Sequence, residues 1–323
     1  MQNLPDIGPH ERTYNPHHCL ANAVAAVLSE TDADLSIDLL DDLPKKWQRL
    51  GNLVLLPKTA FSSEKWRKIT LDEGFWLVVA TALNAMRLGR QADVDAGVMR
   101  HSHAELLLGD DGWVEHREHG VTYCFDATRV MFSAGNISER GWTGTIAAQG
   151  EVVVDLFCGI GYYSLPLLVN AGVAHVHACE MNPDSITALR TGLELNGVAE
   201  QCTIHEGDNQ ETAPALAGIA DRVLLGLLPS SEASWPLAVR CLKPDGGVLH
   251  VHMNVVDKNP GDIGAWGDKT LSTFNTLAQM ENRQWELEII EIRKVKWYAP
   301  HIRHCVLILK AQPKEYSGNE NNS

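Results

Sequence analysis

The chain has 323 residues, with 27 Lys and Arg against 41 Asp and Glu, a formal charge of −14. That balance gives no global attraction to nucleic acid or to an anionic membrane surface. Hydrophobic residues at 45% and charged ones at 21% exclude a disordered chain, and the length suits two domains with a sizeable core. Seven cysteines form no C-x-x-C pair. Their odd number and apolar surroundings read as reduced thiols in a cytoplasmic protein, not as a disulfide framework or zinc site. Residues 1–9 lack the basic-then-apolar pattern of a signal peptide, and no apolar run approaches the roughly 20 residues that span a bilayer. No membrane partner is therefore expected.

In chain order, an Ala-rich stretch at 19–28 predicts a helix and is followed by an acidic segment at 30–42. The sign then flips: residues 43–70 hold seven basic residues against one acid. Residues 54–56 read as a short strand. Phe75, Val78, Val79, Ala82 and Met86 recur at helical spacing and predict a helix over 73–86. A β-meander follows at 104–108, 113–117 and 121–125, with turns at Asp-Asp-Gly 110–112 and Glu-His-Gly 118–120. From 151 the pattern becomes strand–helix alternation. Strands are expected at 152–157, 174–179, 201–205, 222–228 and 247–252. Helices are expected at 162–170, 183–195, 232–242 and 271–282, the second opening on Pro183. Segments 285–295 and 302–310 read as a closing antiparallel pair. Five alternating units imply an open parallel sheet with helices on both faces.

The motif DLFCGIG at 155–161 ends the first strand of that sheet. Gly159 and Gly161 let the backbone approach a ligand and turn into a helix whose amides favour polar groups. A dinucleotide site would want a small third residue where Ser164 stands. An acid ahead of the glycines fits S-adenosylmethionine (AdoMet) instead. Glu180 ends the second strand, placed to accept hydrogen bonds from a ribose diol. Asp208 and Asn209 follow the third, where a carboxylate can accept an adenine amino group. KPDGG at 243–247 supplies the turn before the fifth. Asp155 can either hold the loop or touch the ligand. His250 and His252 share a strand face, but no third ligand is evident and no metal is expected. The fold class is α/β: a class I AdoMet-methyltransferase-like (Rossmann-like) doubly wound sheet with a smaller α+β N-terminal domain. The expected boundaries are 1–145 for the N-terminal domain on the substrate side, 146–311 for the AdoMet domain, and 312–323 for a flexible tail.

Further segments carry a resemblance: LPKKWQRLGNLVLL at 43–56, WVEH at 113–116, FDATRVMFSAGNISER at 125–140, HACEMNP at 177–183, IADRVLLGLLPSS at 219–231, HVHMN at 250–254 and YAPH at 298–301. From about residue 40 to 310 the chain resembles the tRNA wybutosine-synthesizing protein 2 transferases, relatives of the tRNA guanosine-N1 methyltransferases. The resemblance implies transfer of the 3-amino-3-carboxypropyl group of AdoMet to 4-demethylwyosine in tRNA(Phe), beside the anticodon, with release of methylthioadenosine. It also implies cofactor contacts at Ser133, Arg140, Glu180, Asp208 and Asn209, to which the glycine loop adds Gly159. No general base is assigned, because the leaving group is a neutral thioether and catalysis reduces to aiming the γ-carbon. The N1-methyltransferases carry Asn-Leu-Pro after the fourth strand, where this chain has Gly226-Leu-Leu-Pro229. Losing that amide removes a partner for a guanine edge, and glycine leaves room for a tricycle. The segment before Leu43 is shorter than the family tends to carry, so no tRNA-body contact is assigned to it.

The alternatives are a guanosine-N1 methyltransferase, which would release S-adenosylhomocysteine, and a non-catalytic AdoMet-fold RNA-binding module. The global acidity is regional: residues 150–264 hold 14 acids and 5 bases, while the bases collect at 43–70 and around Arg293, Lys294, Lys296 and Arg303. With a Debye length of about 8 Å, a phosphate meets its local patch. A monomer is expected.

Overall fold

The computed structural model describes residues 14–30, 33–93, 97 and 99–314. The readings of residues 1–9 and of 315–323 lie outside the described residues. The chain divides into two compact units, one taking the described residues of 1–94 and 102–112, the other those of 95–101 and 113–323.

In the first unit, α1 (Pro16–Val27), α2 (Ala33–Asp41) and α3 (Glu73–Ala82) pack with a sheet of β1 (Gln48–Leu50), β2 (Leu53–Leu56), β3 (Arg87–Arg90) and β4 (Glu105–Leu108), in that order. Asn15 caps α1 by accepting from the His17 and His18 amides, and Asp72 caps α3 by accepting from Phe75 N at 3.0 Å. The helix expected to reach 86 stops at Ala82. Asn84 turns left-handed (φ 50°), and the Arg49 guanidinium donates to the Leu83 and Asn84 carbonyls left open at the helix end. The chain then re-enters the sheet as β3, parallel to β2. Phe61, Trp66, Phe75 and Trp76 form an edge-to-face cluster at the centre of the core.

The second unit opens with the hairpin β5 (Trp113–Glu118) and β6 (Val121–Asp126), then α4 (Ile137–Thr143). The alternating region follows: β7 (Val152–Asp155), short α5 (Ser164–Pro166), β8 (His175–Glu180), α6 (Pro183–Leu195), β9 (Cys202–Glu206), α7 (Asn209–Thr212), β10 (Arg222–Leu225), α8 (Trp235–Cys241), β11 (Gly247–Val256), α9 (Asp262–Met280), β12 (Trp285–Ala299) and β13 (Ile302–Pro313). The seven-stranded sheet has the order β12-β13-β11-β10-β7-β8-β9. Strands β7 to β11 run parallel, and β13 inserts antiparallel between β11 and β12. The strand order reverses between β7 and β10, so a crevice opens at their carboxyl ends. Leu249 and Val251 of β11 pack with Val223 and Leu225 of β10 into the core that holds Trp235 of α8 and Phe274 of α9. By the two-residue period, His250 and His252 turn to the other face.

Four expectations change. The meander does not exist as one sheet: β4 joins the first unit, while β5 and β6 pair only with each other. Residues 113–145, expected in the N-terminal domain, pack with the second unit. Asn196, at the end of α6, accepts from Thr122 N at 2.9 Å and donates to Thr122 O at 2.7 Å, taking up backbone groups that β6 leaves open. Helix α9 begins at Asp262 rather than 271. Its Gly264 and Gly267 look like loop residues in sequence, but a Cβ on Gly267 would lie 2.6 Å from Ile292 Cδ1, so glycine is what lets β12 pack closely on the helix. Finally, Gln312 and Pro313, placed in the flexible tail, are the last residues of β13.

Candidate functional site

A cavity of about 340 Å³ lies within the second unit, and Ser133, Arg140, Gly159, Glu180, Asp208 and Asn209 all line it. Segments up to about 75 residues apart in sequence are thus brought to one wall system.

The glycine loop is built first. Asp155 is completely buried at the end of β7 and does not line the cavity. It accepts from Ser164 Oγ at 2.8 Å and Phe157 N at 3.2 Å, and desolvation pushes its carboxyl up to about 6. Of the two roles open to it, the geometry is that of a loop holder. Gly159 takes φ +57°, and a Cβ there would strike the Tyr162 ring at 2.4 Å, so only glycine allows this turn at the cavity wall.

Glu180, at the end of β8, closes that loop. Its Oε2 accepts from Gly159 N at 2.8 Å, and its Oε1 from Met181 N at 2.9 Å and Asn182 N at 2.8 Å. Burial raises its pKa against the pull of these three amides. A carboxylate offers about four acceptor sites, so one remains, on Oε2.

Asp208 caps α7 through Oδ1, which accepts from Gln210 N at 2.9 Å and leaves Oδ2 for an incoming donor. Asn209 is a strut. Its Nδ2 donates to Leu156 O at 2.8 Å, and its Oδ1 accepts from Ser234 Oγ and Gln210 Nε2, both at 3.1 Å. It ties the loop after β7 to the segment entering α8.

Arg140 projects from α4 and is buried. Its Nε donates to Glu118 Oε2 at 2.7 Å, its Nη1 donates to Ser133 O at 2.9 Å, and its guanidinium carbon sits 4.4 Å over the Phe132 ring. The Nη2 group lies 2.6 Å from Glu118 Oε2 as an ion-pair contact but outside hydrogen-bond geometry, so a buried N–H donor there still lacks an acceptor. Burial pulls the Glu118 pKa up, but the hydrogen bond from His116 and the Arg140 charge together hold it below the ordinary carboxylate range. Ser133 Oγ accepts from Lys296 Nζ at 2.5 Å. Burial, then the charges of Arg140 and Arg100, lower the Lys296 pKa.

Glu118, Lys296 and the wall residues Met99, Arg100 and Met131 were not singled out from sequence as site residues. Glu118 reads as part of a hairpin turn, and nothing local marks it as the partner of an arginine 22 positions later. The buried histidines form two further polar clusters. His250 Nε2 accepts from Arg222 at 2.6 Å, Arg222 is held by Glu151, and His252 Nδ1 pairs with His304 Nε2 at 3.0 Å. Burial keeps His250 and His252 far below the ordinary imidazole range, that is, neutral. Among the described residues no group of three or more His, Cys, Asp or Glu is arranged to hold a metal ion, and no helix is long and apolar enough to cross a membrane.

Gly226, Leu227, Leu228, Ser230 and Ser231 line the cavity beyond β10. The nearest atoms to a Cβ on Gly226 would be those of the Tyr163 ring at 3.5 Å and Phe157 O at 3.7 Å, which is ordinary contact. The first carbon of a side chain is therefore not blocked there.

A seven-stranded sheet of this order, with its crevice over the carboxyl ends of β7 to β10, is that of a class I methyltransferase-like protein. Residues 114–278 match the TRM5/TYW2 methyltransferase domain and residues 27–112 the TYW2 N-terminal domain, so the seam between the two matches coincides with the seam between the packing units. The tRNA wybutosine-synthesizing protein 2/3/4 of Arabidopsis thaliana is 51% identical over 269 residues, 83% of this chain, although the chain spans only 26% of that protein. The tRNA wybutosine-synthesizing protein 2 homolog of Homo sapiens is 39% identical over 362 residues, covering 97% of this chain and 80% of that one. Among solved structures, Pyrococcus horikoshii TYW2 in complex with MeSAdo aligns with a TM-score of 0.73 and 28% identity, over 91% of this chain and 100% of that chain. The chain belongs to the tRNA wybutosine-synthesizing protein 2 family, as the sequence motifs imply, and has the fold they imply.

Proposed function

We propose that this chain transfers the 3-amino-3-carboxypropyl group of AdoMet to 4-demethylwyosine in tRNA(Phe), releasing methylthioadenosine. The observation that carries the reading is the convergence of Glu180, Asp208, Gly159 and the under-bonded Arg140 on one cavity that Gly226 and Ser231 also line. A related structure holds MeSAdo, which is what AdoMet becomes once the aminocarboxypropyl group has left.

Each residue has a task that its surroundings allow. Glu180 accepts a ribose hydroxyl through Oε2, and Asp208 Oδ2 accepts the adenine amino group. Arg140 Nη2 donates to the carboxylate of the group to be transferred, which supplies its missing acceptor, and Ser133 stands beside it. Asn209 acts by holding the loop. Fixing the carboxylate end and the nucleoside end fixes which of the three carbons on sulfur faces the acceptor. As the new bond to the γ-carbon forms, the γ-carbon–sulfur pair stays on sulfur as a neutral thioether, the positive charge passes to the base, and the base releases a proton to water.

One incubation with AdoMet and tRNA(Phe) bearing the tricyclic precursor tests this. Methylthioadenosine as the adenosine product supports the reading, and S-adenosylhomocysteine in its place would mean methyl transfer. Gly226→Asn should leave AdoMet affinity unchanged but slow transfer to the tricycle by about 10- to 200-fold, because its side chain takes space the base needs. Unchanged transfer would show that the base does not lie against Gly226.

The tRNA substrate is supported by the relatives' names. Lys45, Lys46, Arg67 and Lys68 are exposed on the first unit. Reversing all four to Glu should weaken tRNA binding about tenfold or more at physiological salt and flatten its salt dependence. AdoMet affinity should not change, since the cavity belongs to the second unit. All seven cysteines are unpaired, which suits action in the cytoplasm.

A further inference from the structure

The tip of the β12–β13 hairpin carries features that the transfer reaction leaves unused. Trp297 and Tyr298 there are 53% and 52% exposed. The Arg303 guanidinium carbon lies 3.7 Å from the Trp297 ring centroid, and Asp257 Oδ2 accepts from Arg303 Nε at 2.7 Å. The indole is thus backed on one face by a cation held in place, and about half of the residue's surface stays exposed. Residues 292–305 contain Arg293, Lys294, Lys296 and Arg303 and no acid, in a chain of net charge −14. Asp257 offsets part of the Arg303 charge, and Glu139 and Glu291 pair with Arg293.

The tip also has a defined place relative to the cavity. Lys296 reaches the cavity residue Ser133. Lys296 and Trp297 pair with consecutive residues of β13, His304 and Arg303, so their side chains leave opposite faces of the sheet. With Lys296 turned to the cavity, Trp297 is turned from it. The ring therefore does not face the base undergoing reaction, but lies one residue along the hairpin from Lys296, which reaches the cavity residue Ser133.

We propose that this tip is a stacking site for an unpaired nucleobase flanking the target, with Trp297 as the platform and Arg303 as its cationic backing. The inference rests on the RNA substrate proposed above. A guanidinium–indole–base stack suits an RNA loop, whose splayed bases offer π-faces that a duplex conceals. It gives grip without reading sequence, and the exposed Lys294 nearby meets a backbone phosphate.

The test uses the full chain and an unmodified anticodon stem-loop RNA, with binding followed by fluorescence anisotropy in the absence of AdoMet. Trp297→Ala should weaken binding by about 5- to 150-fold. Trp297→Phe should recover most of it, and the Ala variant should bind AdoMet normally, which excludes misfolding. A duplex RNA of equal length should show no difference between parent and Ala variant. Equal stem-loop affinity for parent and Ala variant overturns the proposal, as does failure of the parent to bind at low salt. So does a concentration-dependent dimer that only the Ala variant loses while RNA affinity stays unchanged, which would assign the tip to a second copy of the chain. The two readings fail separately. Release of S-adenosylhomocysteine with a Trp297-dependent stem-loop complex sinks the proposed transfer and leaves the stacking site standing. Methylthioadenosine release with Trp297-independent binding does the reverse.

Discussion

Glu180→Ala is expected to lower AdoMet affinity by about 100-fold or more in titration calorimetry. Hydrogen bonds to a charged group are worth about 1.5–3 kcal/mol each, and the substitution removes more than one contribution. The proposed bond to the ribose goes directly. The amides of Gly159, Met181 and Asn182 also lose their shared acceptor. Gly159 holds its left-handed turn partly through that bond, so the cavity wall loosens along with the ligand contact. Glu180→Gln should also be weakened, because one of its termini becomes a donor facing amides that donate. Unchanged affinity in the Ala variant, with the fold intact by circular dichroism, would place the ribose elsewhere.

Glu118→Ala is expected to destabilise the second unit by about 3–5 kcal/mol in denaturant unfolding, far more than an exposed ion pair would cost. The Glu118 and Arg140 side chains are 5% and 1% exposed, and the deletion would leave a guanidinium buried without its counter-charge. The same variant should bind AdoMet poorly, because Arg140 would lose the anchor that aims its Nη2. Glu118→Gln keeps the shape and one acceptor, and should lose less stability. If Glu118→Ala unfolds at the same denaturant concentration as the parent, the pair is not the structural unit its geometry implies.

These two residues differ in how far they could be read from the chain alone. Glu180 is legible because it ends a strand at a fixed interval from a glycine motif, and strand ends in a parallel sheet share one edge. The same logic places Gly159, Asp208 and Asn209. The parallel core was legible for a related reason: α6 runs over the predicted 183–195, since an Asn-Pro start and a helical period are local signals. The failures were not local. Asp110-Asp111-Gly112 reads as a hairpin turn, yet it is where the chain passes from one unit to the other. Gly264 and Gly267 argue against a helix until Ile292, from a strand beyond the helix, is seen to need the space.

By itself the sequence determined the succession of strands from β7 to β13, the glycine loop and the carboxylates at the strand ends, because each depends on backbone demands or periodicities that neighbouring residues reveal. Only the tertiary structure decided what those residues are bonded to. It made Asp155 a loop holder and Asn209 a strut, set Glu118 against Arg140 and Lys296 against Ser133, and left Trp297 exposed on Arg303. A buried polar group must find a partner wherever folding brings one, and that partner can come from anywhere in the chain, as Lys296 does for Ser133 across 163 positions.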